Sequence, residues 1–208
     1  MGSPELIETL ALASGLAWAS GIRLYAVLFF AGALGRFGYL PLPADLQWLG
    51  HPLVIAISGL LCVLEFAADK VPGLDSLWDA VHTFIRIPAG ALLAAATLGD
   101  HDAAVTLAAA LSGGALASGA HLTKAASRAL INASPEPFSN VAASTIEDVL
   151  VVGGLCLALL HPAVFLALLL LFVAITLWLL PRLWRGLRKV FQRVSALLGT
   201  GRSAPRPQ

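Results

Sequence analysis

The chain has 208 residues, of which 58% are hydrophobic and only 12% charged, and its mean hydropathy is +0.84. A soluble domain carries about twice that charge fraction. The composition therefore excludes a water-soluble globular fold and points to an all-α integral membrane protein. The formal net charge of +1 leaves no basic surface for nucleic acid.

The start, Met-Gly-Ser-Pro-Glu-Leu-Ile-Glu, lacks the basic region of a cleavable signal, so the first apolar stretch reads as a retained span. That span covers about Leu6 to Leu34, interrupted by Arg23. A loop follows, marked by Gly35, Gly38, Pro41 and Pro43. The second span runs from about Pro52 to Asp69. Pro72 and Gly73 break the chain, and Asp75 or Ser76 can cap the next helix. The third span runs from about Ser76 to Leu98, with Pro88 as an expected kink. The fourth covers Ala103–Ile131. A loop with Pro135 and Pro137 precedes the fifth, Asn140–Leu160, and the sixth covers Pro162–Leu180. After Pro181 a basic amphipathic segment carries Arg182, Arg185, Arg188, Lys189 and Arg193, and the tail Gly199–Gln208 reads as disordered. Cys62 and Cys156 both lie in apolar runs and read as small buried hydrophobes.

About six spans result, as two membrane halves of three (residues 1–102 and 103–181) and a basic helix with its tail (182–208). Lys and Arg placement sets orientation. With both termini in the cytoplasm, Lys70, Arg86, Lys124 and Arg128 fall at cytoplasmic ends. The expected location is a bacterial inner membrane. Ser14–Leu24 (SGLAWASGIRL) and Ser112–Leu122 (SGGALASGAHL) match at an offset that aligns Arg23 with His121. Three spans separate the copies, which predicts a 3+3 inverted repeat with a site between the halves.

The chemistry is concentrated in Glu65–Arg86. Glu65 and Asp69 lie four apart at the end of an apolar run. Asp75, Asp79, His82 and Arg86 follow at helical spacing on one face. Charges within or at the edge of a membrane usually face a cavity or partner. Glu65, Asp69, Asp75 and Asp79 could converge on a hard divalent cation such as Mg²⁺, Ca²⁺ or Mn²⁺. The plain alternative is a solvated loop. His121, Lys124 and Arg128 share a face of the fourth span, as anion ligands, counter-ions or interfacial anchors. Asn140, Ser144, Glu147 and Asp148 open the fifth, where acids also suit the helix dipole. Arg23 sits mid-span, where a charge costs about 2.5–3.5 kcal/mol or more. It needs a partner, with Glu65 or Glu147 expected.

Several stretches together resemble a named family. They are Ser20-Gly-x-Arg23, Gly35-Arg-Phe-Gly38, Glu65-Phe-x-x-Asp69-Lys-x-Pro-Gly-x-Asp75-Ser-x-x-Asp79, Gly119-x-His-Leu-Thr-Lys124 and Ser144-x-x-Glu147-Asp148. Over about residues 10–165 the chain resembles the bacterial membrane family called domain of unknown function 4126. The resemblance implies no activity. A weaker likeness is to cation/proton exchangers with a Glu-x-x-Asp-Lys motif in each repeat; here Glu65 and Asp69 are one residue further apart.

The expected function is transport of a small ion or proton-coupled solute through a polar cavity between the halves. Glu65, Asp69, Asp75 and Asp79 would bind a cation or exchange protons, while Arg23, His121 and Lys124 would balance charge. The alternatives are a metal-dependent enzyme acting on a lipid phosphate, with Lys124, Arg128 and Arg86 holding the phosphate, and a lipid-scrambling or assembly protein. The partners are the lipid bilayer and a small ion or solute, with room for a homo-oligomer.

Overall fold

The computed structural model describes residues 3–71, 73–99, 101–132 and 137–199. Pro72, Asp100, the loop at Pro135 and the tail from residue 200 onward lie outside them. Within the described residues the chain is helical, with α1 Ser3–Arg36, α2 Pro52–Ala68, α3 Leu74–Leu98, α4 Ala103–Ile131, α5 Pro137–Leu160 and α6 Pro162–Gly199. A short 3-10 helix, Ala44–Gly50, precedes α2 and buries Leu46 and Leu49. Five helices are long and apolar enough to cross a membrane. The 3-10 helix and α2, bent by 68° at His51, form either a broken sixth span or a re-entrant loop, so the described residues hold five to six candidate spans. This is a membrane-spanning helical protein.

Helix ends follow local chemistry. The Asp102 carboxylate accepts from the Ala104 N–H and caps α4, and the His51 ring accepts from Leu53 N at the start of α2. Gly73 and Gly99 flank α3 with φ of 85° and 72°, a left-handed backbone that glycine adopts without penalty. Two expectations are corrected. Pro137 begins α5 instead of lying in the loop, since proline fits the first turn. Pro181 does not end the sixth helix, which continues through it to Gly199.

The bundle is built around α1, which packs on α2, α3, α4, α5 and α6 and is the most deeply buried span. Small residues allow this. A Cβ on Gly21 would land on the backbone carbonyl of Ala117, so glycine here sets the approach of α1 to α4. Gly21→Ala should therefore lower stability by about 1–3 kcal/mol. Thermal unfolding in detergent checks this; an unchanged midpoint would show that the two helices are not fixed by this contact.

Polarity is inverted relative to a soluble protein. Phe84 and Leu92 of α3, Leu111 of α4, Val149 of α5 and Leu170 of α6 point outward, each more than half exposed, as acyl chains require. Cys156 is also exposed, so it is not the buried hydrophobe expected. The interior holds the charges. Glu65, Asp69, Asp75 and Arg86 are 0% exposed, and Arg23 and Arg128 are 1%. The chain is non-helical at Arg23 (φ −144°, ψ 83°), whereas α4 runs unbroken through His121, so the two positions aligned by the sequence match differ in backbone conformation.

Candidate functional site

The break at Arg23 organises the site. Arg23 leaves the helical conformation, and its guanidinium reaches across the bundle to α2 and α5. Nη2 lies 3.1 Å from Asp69 and 3.8 Å from Glu147, and Nε lies 2.7 Å from Asp148. Nη2 also donates to Ser144 through its hydroxyl at 2.8 Å and its carbonyl at 3.1 Å. Of the two expected partners, Glu147 is there and Glu65 is not. Just before the break, the Ile22 carbonyl accepts from Lys124 Nζ at 3.2 Å. A backbone group at a helix break within a membrane needs such a partner.

Lys124 and Asp69 form the hub. Lys124 Nζ lies 2.9 Å from Asp69, 3.3 Å from Asp79 and 3.5 Å from Glu147. One Asp69 oxygen, Oδ2, meets Lys124, Arg23 and, at 3.8 Å, Arg128. Arg128 forms a two-point pair with Glu147 at 3.0 and 2.9 Å, the fork geometry that makes arginine–carboxylate pairs strong. Its Nη1 donates to the Asp69 and Asn140 carbonyls and to the Asn140 side chain.

Arg86 serves two carboxylates. Its Nη2 lies 2.5 Å from Glu65 and its Nη1 2.6 Å from Asp79. Nη1 also contacts His121 Nδ1 at 3.3 Å, and His121 Nε2 contacts Thr83 Oγ1 at 2.6 Å. Arginine only donates, so this pattern assigns His121 Nδ1 as an acceptor and places the ring proton on Nε2. Thr83 in turn donates to the Asp79 carbonyl. His121 is neutral in this arrangement.

Two predicted residues are placed apart from these ion pairs. Asp75 accepts from Asn132 Nδ2 at 3.0 and 2.9 Å and from the Gly73 N–H at 2.8 Å. Among the described residues it connects to the hub through Asn132, Asn140 and Arg128. His82 stacks on Trp78 and meets the Tyr25 hydroxyl at 3.1 Å. The shared polar stripe predicted on α3 is thus split: Asp79 and Arg86 enter the network, Asp75 secures the start of α3, and His82 packs on aromatics.

The four carboxylates offered for a divalent cation do not gather into one cluster. Among the described residues no group of three or more His, Cys, Asp and Glu side chains is placed to hold a metal ion. The physical reason is that Glu65, Asp69 and Asp79 are interleaved with Arg86, Lys124 and Arg23, which take their charge, while Asp75 is turned to Asn132. Nor do Glu65, Asp69 and Asp79 line an open polar cavity, since they are at most 3% exposed. Lys124 and Glu147 do line a cleft of about 570 Å³, but most of its walls are apolar. Outside the spans, Lys70 lies over the Phe66 ring, 2.9 Å from its centroid, and burial lowers its proton affinity against the attraction of Asp148.

The charge balance is uneven. Glu65, Asp69, Asp79, Glu147 and Asp148 face Arg23, Arg86, Lys124 and Arg128. With neutral His121, and counting only ion pairs within 4 Å, which leaves out the more distant Lys70 of Asp148, five carboxylates meet four cations and leave one formal negative charge. Three carboxylate oxygens in this network, Glu65 Oε2, Asp69 Oδ1 and Asp79 Oδ2, are buried without a hydrogen-bond partner. Unpaired charge in low dielectric is expensive and is normally neutralised.

The sequence offered Glu65, Asp69, Asp75, Asp79, His82, Arg23, His121, Lys124, Glu147 and Asp148 as binding residues in three separate stretches, and all of them except Asp75 and His82 meet in this network. It did not anticipate Arg86 as the partner of Glu65, nor Thr83, Asn132 and Tyr25. Arg86, seven residues after Asp79, was a legible signal: two helical turns put the two on one face.

A family model described as a domain of unknown function, DUF4126, matches residues 10–182. No curated protein and no solved structure matches.

Proposed function

The chain belongs to the DUF4126 family, and from its site we propose that it is a proton-coupled membrane transporter of a small solute. The observation that carries this is the surplus carboxylate in a buried network built on a broken membrane helix. Discontinuous helices with charged side chains at the break are where transporters place substrate and coupling-ion sites. In the network, Glu65 and Asp79 share one guanidinium, and each keeps a buried oxygen without a donor. A single proton on either carboxyl balances the network. Its departure leaves a charge that a solute must compensate, which couples the two.

The cations are also arranged for this role. Arg86, Lys124 and Arg128 are each paired with carboxylates, which supports charge compensation over the holding of a lipid phosphate. Lys and Arg placement supports an orientation with both termini in the cytoplasm.

The test is reconstitution into liposomes with a pH-sensitive dye inside. An imposed pH gradient should drive protein-dependent proton movement only when a transported solute is present. Asp79→Asn should reduce it at least tenfold. Equal dye responses in protein-containing and empty liposomes across a range of solutes would overturn the reading.

A further inference from the structure

The apolar cleft lies beside the network and is not explained by it. Its walls are α4 and α5, with Trp18 and Ile22 of α1 as floor and Phe165 and Leu169 of α6 along one side. On α5 the lining runs from Ala143 to Leu157, about 21 Å at 1.5 Å per residue. That exceeds the roughly 15 Å of one leaflet's hydrocarbon. The rim residues Val149, Leu150 and Leu168 are 65%, 50% and 51% exposed, so the cleft opens sideways toward lipid.

Its polarity is graded along its length. Thr123, Lys124, Ser127 and Glu147 gather toward the Ala143 end, and the remainder is hydrocarbon. Lys124 directs its ammonium inward, to Asp69, Asp79 and the Ile22 carbonyl. The Lys124 side chain is 1% exposed and that of Glu147 is 12% exposed. The network therefore turns a carboxylate, not a cation, toward the cleft. Around Glu147 stand Arg23 of α1, Lys124 and Arg128 of α4 and Asp148 beside it, with Asp69 of α2 and Asp79 of α3 across Lys124.

Two adjacent glycines behave differently here. A Cβ on Gly154 would strike the Trp18 ring, so Gly154 is needed for packing. A Cβ on Gly153 would meet nothing within 4 Å, although Gly153 lines the cleft. Glycine in a helix is unfavourable by about 1 kcal/mol relative to alanine. No contact requires it at Gly153, and its lack of a side chain keeps the cleft open.

We infer that this cleft binds a lipophilic cation, its apolar body along α5 and α6 and its charge beside Glu147. This rests on the proton-coupled reading. The network has one uncompensated negative charge, and a proton or the cation can balance it. A cation bound beside the protonated network favours the ionised carboxylate, so the proton leaves to solvent and the cation takes its place as the balancing charge.

The experiment uses tetraphenylphosphonium and tetraphenylborate, probes of near-identical shape and opposite charge, with the full chain in detergent. The cation should bind and the borate should not. Gly153→Trp, which fills the cleft from an unobstructed position, should weaken cation binding at least tenfold with an unchanged unfolding midpoint. Glu147→Gln should weaken it as well. Borate binding as tight as the cation's, or undiminished binding to Gly153→Trp, would overturn the inference. So would loss of a dimer in Gly153→Trp, because the cleft would then be an interface between copies. Cleft-dependent cation binding without proton release in weak buffer supports the cleft site and removes the proton-coupled reading instead.

Discussion

Arg86→Met should destabilise the protein by about 3–5 kcal/mol, the usual result of removing one side of a buried ion pair. Arg86 is 0% exposed and holds both Glu65 and Asp79. Methionine fills much of the same space but leaves two carboxylates facing each other in low dielectric. The loss comes from the stranded charges more than from missing packing. The triple variant Arg86→Met, Glu65→Gln, Asp79→Asn should therefore recover most of the stability, since removing the whole group strands nothing. Thermal unfolding in detergent, read beside the monodisperse fraction, compares the two. If the triple variant is no more stable than Arg86→Met, the cost lies in packing and the electrostatic account of this site is wrong.

The helices were legible because membrane spans announce themselves by length and hydropathy. The lower and upper limits expected for the second, third and fourth spans fall within about two residues of α2, α3 and α4. The site was legible for the same reason. Charges such as Arg23 and Glu65 inside apolar runs have few places to go except toward one another. What could not be read was which acid meets which base. Glu65 and Glu147 were equal candidates for Arg23, and the choice depends on the break at Arg23, which no proline marks. The scatter of the four acids was hidden for a related reason. Four acids in one stretch read as a ligand set only while their bases, on α1, α3 and α4, are left out of the count. Asp75 was misassigned because its partner, Asn132, lies 57 residues away with no pattern linking the two.

The fold explains why such a network persists. α1 runs through the middle of the bundle and contacts every other helix, so Arg23 and the Ile22 carbonyl are presented to α2, α4 and α5 together. α2 ends at Ala68, and Asp69 at its C-terminus reaches Arg23 and Lys124 from the edge of a span. The bend before α2 and the break in α1 are departures from straight helices. The break carries Arg23 and frees the Ile22 carbonyl, both of which meet the hub formed by Lys124 and Asp69.

Glu65→Gln should have the opposite profile to Arg86→Met: little effect on stability and loss of proton-coupled transport. Removing one carboxylate leaves four acids against four bases, so the network loses its uncompensated charge and no cation is stranded. The glutamine amide has nearly the shape of a protonated carboxyl, and Glu65 Oε2 has no hydrogen-bond partner that the change would break. Arg86 keeps Asp79 as its partner, so the unfolding midpoint should fall clearly less than in Arg86→Met. Transport should nevertheless fall at least tenfold, because the amide cannot give up the proton that coupling requires. Lys124→Met separates this from a general sensitivity to substitution. It raises the surplus to two charges and removes the contacts to Asp69, Asp79 and Ile22, so it should destabilise by several kcal/mol, as Arg86→Met does. Unfolding midpoints and dye-reported flux, measured on the same three preparations, decide the matter. Should Glu65→Gln transport with unchanged proton coupling, or unfold as readily as Lys124→Met, the surplus carboxylate is a structural feature and not the coupling group.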